Sequence, residues 1–149
     1  MKSCFLILWT VLSTILLLHA ADPAAEKAFV EKFKTAYEGK DTKTLESFLY
    51  KQGAVPMALE FYKMRLTEGA GGKIASIELT DLSPEDQKKV EGVQEGPGGQ
   101  KTRMPIKPTK KLHVKIDTTD GSGSGSATSS MFVAEKDGKF VIPVPVPAK

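Results

Sequence analysis

An α+β fold, with helices leading into and packing on an antiparallel sheet, is what the sequence predicts from three observations. Apolar residues recur at helical spacing between residues 23 and 67. The period then changes to strict alternation over 73–80 and again from 111, and Lys136-Asp137-Gly138-Lys139 puts a two-residue hairpin turn between two apolar runs. Helices followed by a run of strands is the order that lays helices on one face of a sheet.

The first 21 residues, MKSCFLILWTVLSTILLLHAA, read as a cleavable secretory signal peptide: Lys2, an apolar stretch over 5–18, then small residues for cleavage at Ala20 or Ala21. The apolar run is short for a membrane span, which needs roughly 20 residues. Cys4 stands before it, whereas a lipoprotein cysteine would follow it. The reading therefore expects a secreted or periplasmic protein, residues 22–149, of a bacterial envelope. Cys4, Trp9 and His19 leave with the signal, so His113 is the one histidine kept and disulfides, zinc thiolates and cysteine nucleophiles are excluded. The 128 residues after position 21 suit one domain, burying about 65% of its unfolded surface. The sequence holds no Asn, hence no N-glycosylation signal.

Within that domain, Asp22-Pro23 is an N-cap followed by proline at the first helical position, with Glu26 in the first turn. Phe29, Val30, Phe33 and Tyr37 form an apolar stripe, and Gly39 is expected to supply a left-handed stop. Asp41 or Thr42 caps a short second helix with Leu45, Phe48 and Leu49 on one face. Pro56 opens a third helix whose face is Met57, Phe61 and Met64, ending before Gly69-Ala70-Gly71-Gly72. A strand over 73–80 turns Ala75, Ile77 and Leu79 one way. Ser83-Pro84-Glu85-Asp86 starts a helix that Gly92 keeps short. Leu112, Val114 and Ile116 alternate with Lys111, His113, Lys115 and Asp117, as in a strand with one wet face. The Gly-Ser repeat at 121–126 is expected to be a mobile hairpin loop, 131–135 and 140–144 to pair across Asp137-Gly138, and the Pro-rich tail at 143–149 to be an extended edge or a loose end.

Without Lys2, 20 basic side chains face 18 acidic ones, about +2, too little to imply a nucleic-acid partner. The charge is uneven, however. Lys101, Arg103, Lys107, Lys110, Lys111 and Lys115 occur without an intervening acid, after a segment rich in Glu and Asp. This run is a candidate basic surface for an anionic partner, although it lacks the interleaved aromatics of a nucleic-acid site.

The stretches AFVEKFKTAYEGKD at 28–41, continued by Leu45 and Phe48, and VAEKDGKFVI at 133–142 resemble the NTF2-like (SnoaL-like, cystatin-superfamily) fold. The resemblance implies a cone of helices and curved sheet whose open end can hold an apolar small molecule. Members of the fold include isomerases, dehydratases, hydrolases and many exported proteins that catalyse nothing, and homodimers are common. No catalytic residue carries over by position, because fold likeness does not determine function.

From the residues themselves, Tyr37, Tyr50 and Tyr62 with Glu60 are the candidate acid and oxyanion-donor set, and Tyr37, Glu60 and Tyr62 the candidate ligand contacts; the alternative is tyrosines that pack with their hydroxyls in water. His113 and Asp117 stand about 13 Å apart along one strand and cannot touch. The glycines at 69–72 with Lys73 lack the spacing and the Ser/Thr of a phosphate loop, and the acids at 117 and 120 lack the ligands of a calcium loop, so neither a cofactor nor a metal is expected. The expectation is an exported, non-catalytic binding or accessory module for an apolar small molecule or an envelope protein. The alternatives are a pocket enzyme and a cystatin-type inhibitor using Gln87 to Gly92 as its wedge. Val and Phe on both faces of the final hairpin are expected to leave an apolar surface for a homodimer, and no stable membrane insertion is expected once the signal is gone.

Overall fold

A computed structural model of the chain describes residues 22–96, 98–120 and 123–148; the expected signal segment and residues 121–122 lie outside them. Helix α1, Pro23–Glu38, starts where its cap predicts, with the Asp22 carboxylate accepting the Ala24 amide at 3.0 Å, and it buries Phe29, Phe33, Ala36 and Tyr37. Its end corrects the expectation for Gly39, which keeps a right-handed φ of −79°, while Lys40 takes the left-handed φ of 54°. Lys40 N–H donates to the Tyr37 carbonyl and Asp41 N–H to that of Ala36, a Schellman closure centred one residue later than glycine placement implies. A Cβ at Gly39 would lie 3.0 Å from the Thr35 carbonyl oxygen, a tight approach.

Helix α2, Thr42–Ser47, is capped by Asp41 and leads into β1, Leu49–Tyr50. Then follow α3, Pro56–Thr67; β2, Ile74–Asp81; α4, Pro84–Glu91; β3, Gln94–Glu95; and β4, Lys101–Arg103. The chain closes with β5, Lys110–Asp120; β6, Gly123–Lys136; β7, Lys139–Pro143; and β8, Val146–Pro147.

The main sheet runs β1-β7-β6-β5-β2 and is open and curved, giving the α+β architecture expected. It is mixed rather than wholly antiparallel, because β1 pairs parallel with β7, taking the Ile142 amide on the Phe48 carbonyl at 2.8 Å. A bulge in β2 between Ile74 and Ser76 corrects the expected phase: Ile74 is buried and Ala75 exposed, while Ile77 and Leu79 still face inward. Residues 123–126 of the Gly-Ser repeat are strand rather than loop. Residues 123–126 pair with 117–120 and lengthen the β5–β6 hairpin, since paired strands satisfy the backbone groups of glycine and serine as they do of any residue. Asp137 and Gly138 have φ of 53° and 71°, the two left-handed positions that the Asp-Gly turn demands.

The tail is an edge strand and not a loose end. Strand β8 closes a second sheet, β3-β4-β8, and Val144 and Val146 are buried. The core gathers Phe29, Phe33, Phe48 and Phe140 against the inner face of β5, β6 and β7. Leu112, Val133 and Ile142 are fully enclosed there, each side chain contributing about 1.5–3 kcal/mol of transfer free energy.

Candidate functional site

The inner face of the sheet is filled unevenly. Leu112 stands opposite Met131, two large side chains, but Val114 faces Ser129 and Ile116 faces Ala127. Where β6 turns small, the helices do not close the gap, and a cavity of about 720 Å³ opens between α1, α3 and β5–β6. Its floor is buried and apolar: Phe33, Leu66, Val114 and Met131. Its mouth is exposed, edged by Phe61, Met64, Glu68 and Asp117.

The third helix makes this mouth by presenting the opposite face from the one its spacing suggests. Ala58, Leu59, Tyr62 and Leu66 turn inward, while Met57, Phe61 and Met64 remain 56%, 40% and 55% exposed. The helix is apolar on both sides, so the 57/61/64 stripe and the 58/62/66 stripe competed for the core. Ala58 and Leu66 are fully buried, and Met57, Phe61 and Met64 go outward.

Tyr37, Arg65 and Ser129 bring polar groups to the cavity wall, besides the Glu68 and Asp117 of its mouth. The Tyr37 hydroxyl donates to the Glu68 carbonyl at 2.7 Å, and burial followed by the nearby Glu68 charge pushes its phenol up. Gly69, at φ 73°, passes so near that a Cβ would come 2.7 Å from that hydroxyl. The Tyr37 proton is therefore committed to a main-chain acceptor. Arg65 Nη2 donates to Ser129 Oγ at 3.1 Å, and the guanidinium lies 5.8 Å from the Phe61 ring centroid. Among the described residues no carboxylate forms an ion pair with Arg65.

A second cleft of about 250 Å³ shares Phe61, Arg65 and Met131 with the first and adds three charged side chains, Asp86, Lys89 and Lys111, beside Tyr62, Ser130 and Phe132. The Lys111 ammonium bonds both Asp86 carboxylate oxygens, at 3.1 and 3.0 Å, and with the Ser83 hydroxyl holds that carboxyl below its usual range.

The sequence-expected site residues are not brought together. Tyr37 lines the large cavity; Tyr62 lines the second cleft, its phenol pushed up by burial against the opposing charge of Arg65. Glu60 is exposed, lines neither space, and accepts from Lys63 at 2.8 Å. Tyr50 bonds Gln52 away from both.

The basic run does not form one patch either. Lys107 pairs with Glu91 at 2.6 Å, Lys110 with Glu26 and Asp81 at 2.7 and 2.9 Å, and Lys111 with Asp86. Lys101 and Arg103 are exposed on β4, and Lys115 on β5 in the other sheet. Gln87 to Glu91 are helical in α4 rather than an extended wedge. His113 stands on β5 between Glu78 and Ser130, and Asp117 does not orient it. Among the described residues the exposed large hydrophobic ones are Met57, Phe61, Met64 and Val93, none on the final hairpin, so the apolar surface expected there is partly covered. Among the described residues no helix is long and apolar enough to cross a membrane, and no cluster of three metal-ligating side chains occurs.

Sequence reasoning missed Arg65 and Ser129. The legible signal was the step from Ala127 and Ser129 to Met131 on one strand face, which marks where a packed sheet becomes a hollow one.

No protein-family model and no curated protein matches the chain. Among solved structures it is similar to the helical cell shape determining protein Pgp2 from Campylobacter jejuni, with 13% identity and a TM-score of 0.43. The match covers 79% of this chain and 38% of that one, so the chain spans well under half of that protein's length.

Proposed function

We propose that this protein is an exported, non-catalytic binding module of NTF2-like type whose cavity receives an apolar small molecule. The observation that carries the reading is the cavity of about 720 Å³ with its buried apolar floor. That volume falls within the roughly 300–1,000 Å³ common for small-molecule sites, and an apolar wall with a few polar groups is their usual make-up. The separation of Glu60 and Tyr62 from Tyr37 supports binding over proton-transfer chemistry, which needs its acid and base within hydrogen-bond reach of one substrate. Export rests on the leader-like first 21 residues.

The test is a native mass spectrum of the protein produced in a bacterium with its own N-terminal segment. A chain cut after Ala20 or Ala21 that carries a reproducible extra mass is expected, and Ala127→Trp at the exposed rim should lose that mass while keeping its circular dichroism. An uncut chain would overturn export. A bare chain, still empty after incubation with hydrophobic extracts, would overturn the binding reading and direct attention to protein partners.

A further inference from the structure

We infer that the occupant of the large cavity is an anionic amphiphile, its single hydrocarbon chain lying on the apolar floor and its carboxylate or phosphate head held by Arg65. This rests on the binding reading above and adds the ligand's chemistry. Arg65 lines both cavities, as do Phe61 and Met131. A guanidinium offers five N–H donors in a planar fork, and here one described hydrogen bond, to Ser129 Oγ, engages it. A half-buried cation against an apolar wall is costly without an anion, and a carboxylate or phosphate supplies the bidentate partner that the fork fits.

The surrounding charges point the same way. The second cleft brings Lys89 and Lys111 beside Arg65 with Asp86 as the acid among its lining residues. Lys111 is matched by Asp86, and Lys89 by Glu85, which does not line the cleft, so the lining itself carries a surplus of positive charge. The acids of the larger cavity, Glu68 and Asp117, are exposed at its mouth and make no ion pair with Arg65. An anionic head is therefore repelled from the mouth and drawn to the shared wall, while the chain takes the floor of Phe33, Leu66, Val114 and Met131.

The experiment titrates delipidated protein near pH 7 with dodecanoate, dodecyl phosphate and dodecanol, three ligands of one chain length, by calorimetry. At least one acid should bind about tenfold or more tighter than the alcohol, the scale of a charge-assisted contact, and the better of the two acids identifies the head. Arg65→Gln should erase that preference, acid and alcohol then binding alike, and Arg65→Lys should keep part of it. Equal binding of acid and alcohol by the unmutated protein would overturn the head assignment while leaving the cavity reading standing. Failure of all three to bind would remove both. Acid preference persisting in folded Arg65→Gln would transfer the head to Lys89 and Lys111 and overturn the role of Arg65. The comparison of heads on the unmutated protein decides the ligand class even where the variant does not fold.

Discussion

Helices α1 and α3 both begin with proline at the first turn and both carry aromatic and aliphatic residues at helical spacing, yet they treat the sheet oppositely. The first lies against β2 and β7 and buries Phe29, Phe33 and Tyr37. The third packs chiefly on α2, reaches β6 through the Arg65–Ser129 bond, and leaves Met57, Phe61 and Met64 outside. The difference lies in what each apolar stripe meets. Large residues of β7 receive α1, Phe140 packing on Phe29 at 5.8 Å between ring centroids, whereas α3 overlooks Ala127 and Ser129, which offer little to pack against. One helix builds the core, and the other roofs a space.

The comparison breaks first on stability. Phe33→Ala should cost about 3–5 kcal/mol in urea unfolding, as for other enclosed aromatics, whereas Phe61→Ala should cost less than about 1 kcal/mol. Equal losses would mean that α3 is as much a core helix as α1. Next in size is the turn that leads out of α3. Gly69→Ala adds a Cβ at a left-handed φ and 2.7 Å from the Tyr37 hydroxyl, and should cost about 1–3 kcal/mol. Tyr37→Phe, which loses the bond to the Glu68 carbonyl, should cost about 1 kcal/mol. The double variant should lose less than the sum of the two, because the hydroxyl that the new methyl strikes is gone; strict additivity would place the cost of Gly69→Ala in its backbone alone.

The smallest expected effect sharpens the view of the cleft behind α3. Lys111 and Ser83 lower the Asp86 pKa in the folded state, so the stability this group contributes is present above the carboxylate range and is lost as pH falls through its folded pKa. Melting temperature should therefore drop on acidification in the parent and less steeply in Asp86→Asn, with Lys111 then unpaired at neutral pH. Identical acid slopes would mean that the ion pair contributes nothing to holding α4 against β5.

Much of the fold was legible because it is encoded locally. Asp22-Pro23, Asp41 and Ser83-Pro84 begin helices at the residues their capping chemistry requires, and Asp137-Gly138 turns the hairpin because both residues tolerate left-handed backbone. Misreadings arose where two local answers were nearly equal. Glycine at 39 suggested the left-handed position, but the last turn of α1 continued one residue and gave that role to Lys40. Glycine and serine at 123–126 suggested a loop, but strand pairing does not depend on side chains that fill space. The site was less legible still, since Tyr37, Glu60 and Tyr62 share neither a cavity nor a hydrogen bond.

By itself the sequence determined where the helices begin, the α+β order, the final hairpin turn and the aromatic stripe of α1, because caps, turns and periodicity act over a few residues and carry their own free energy. Only the tertiary structure decided which face of α3 is buried, that β1 runs parallel to β7, and that Arg65 meets Ser129, 64 positions away, at the wall of a cavity. Those outcomes depend on how volumes from distant segments fit together, and a helix apolar on both sides cannot state its orientation until the surface beneath it exists.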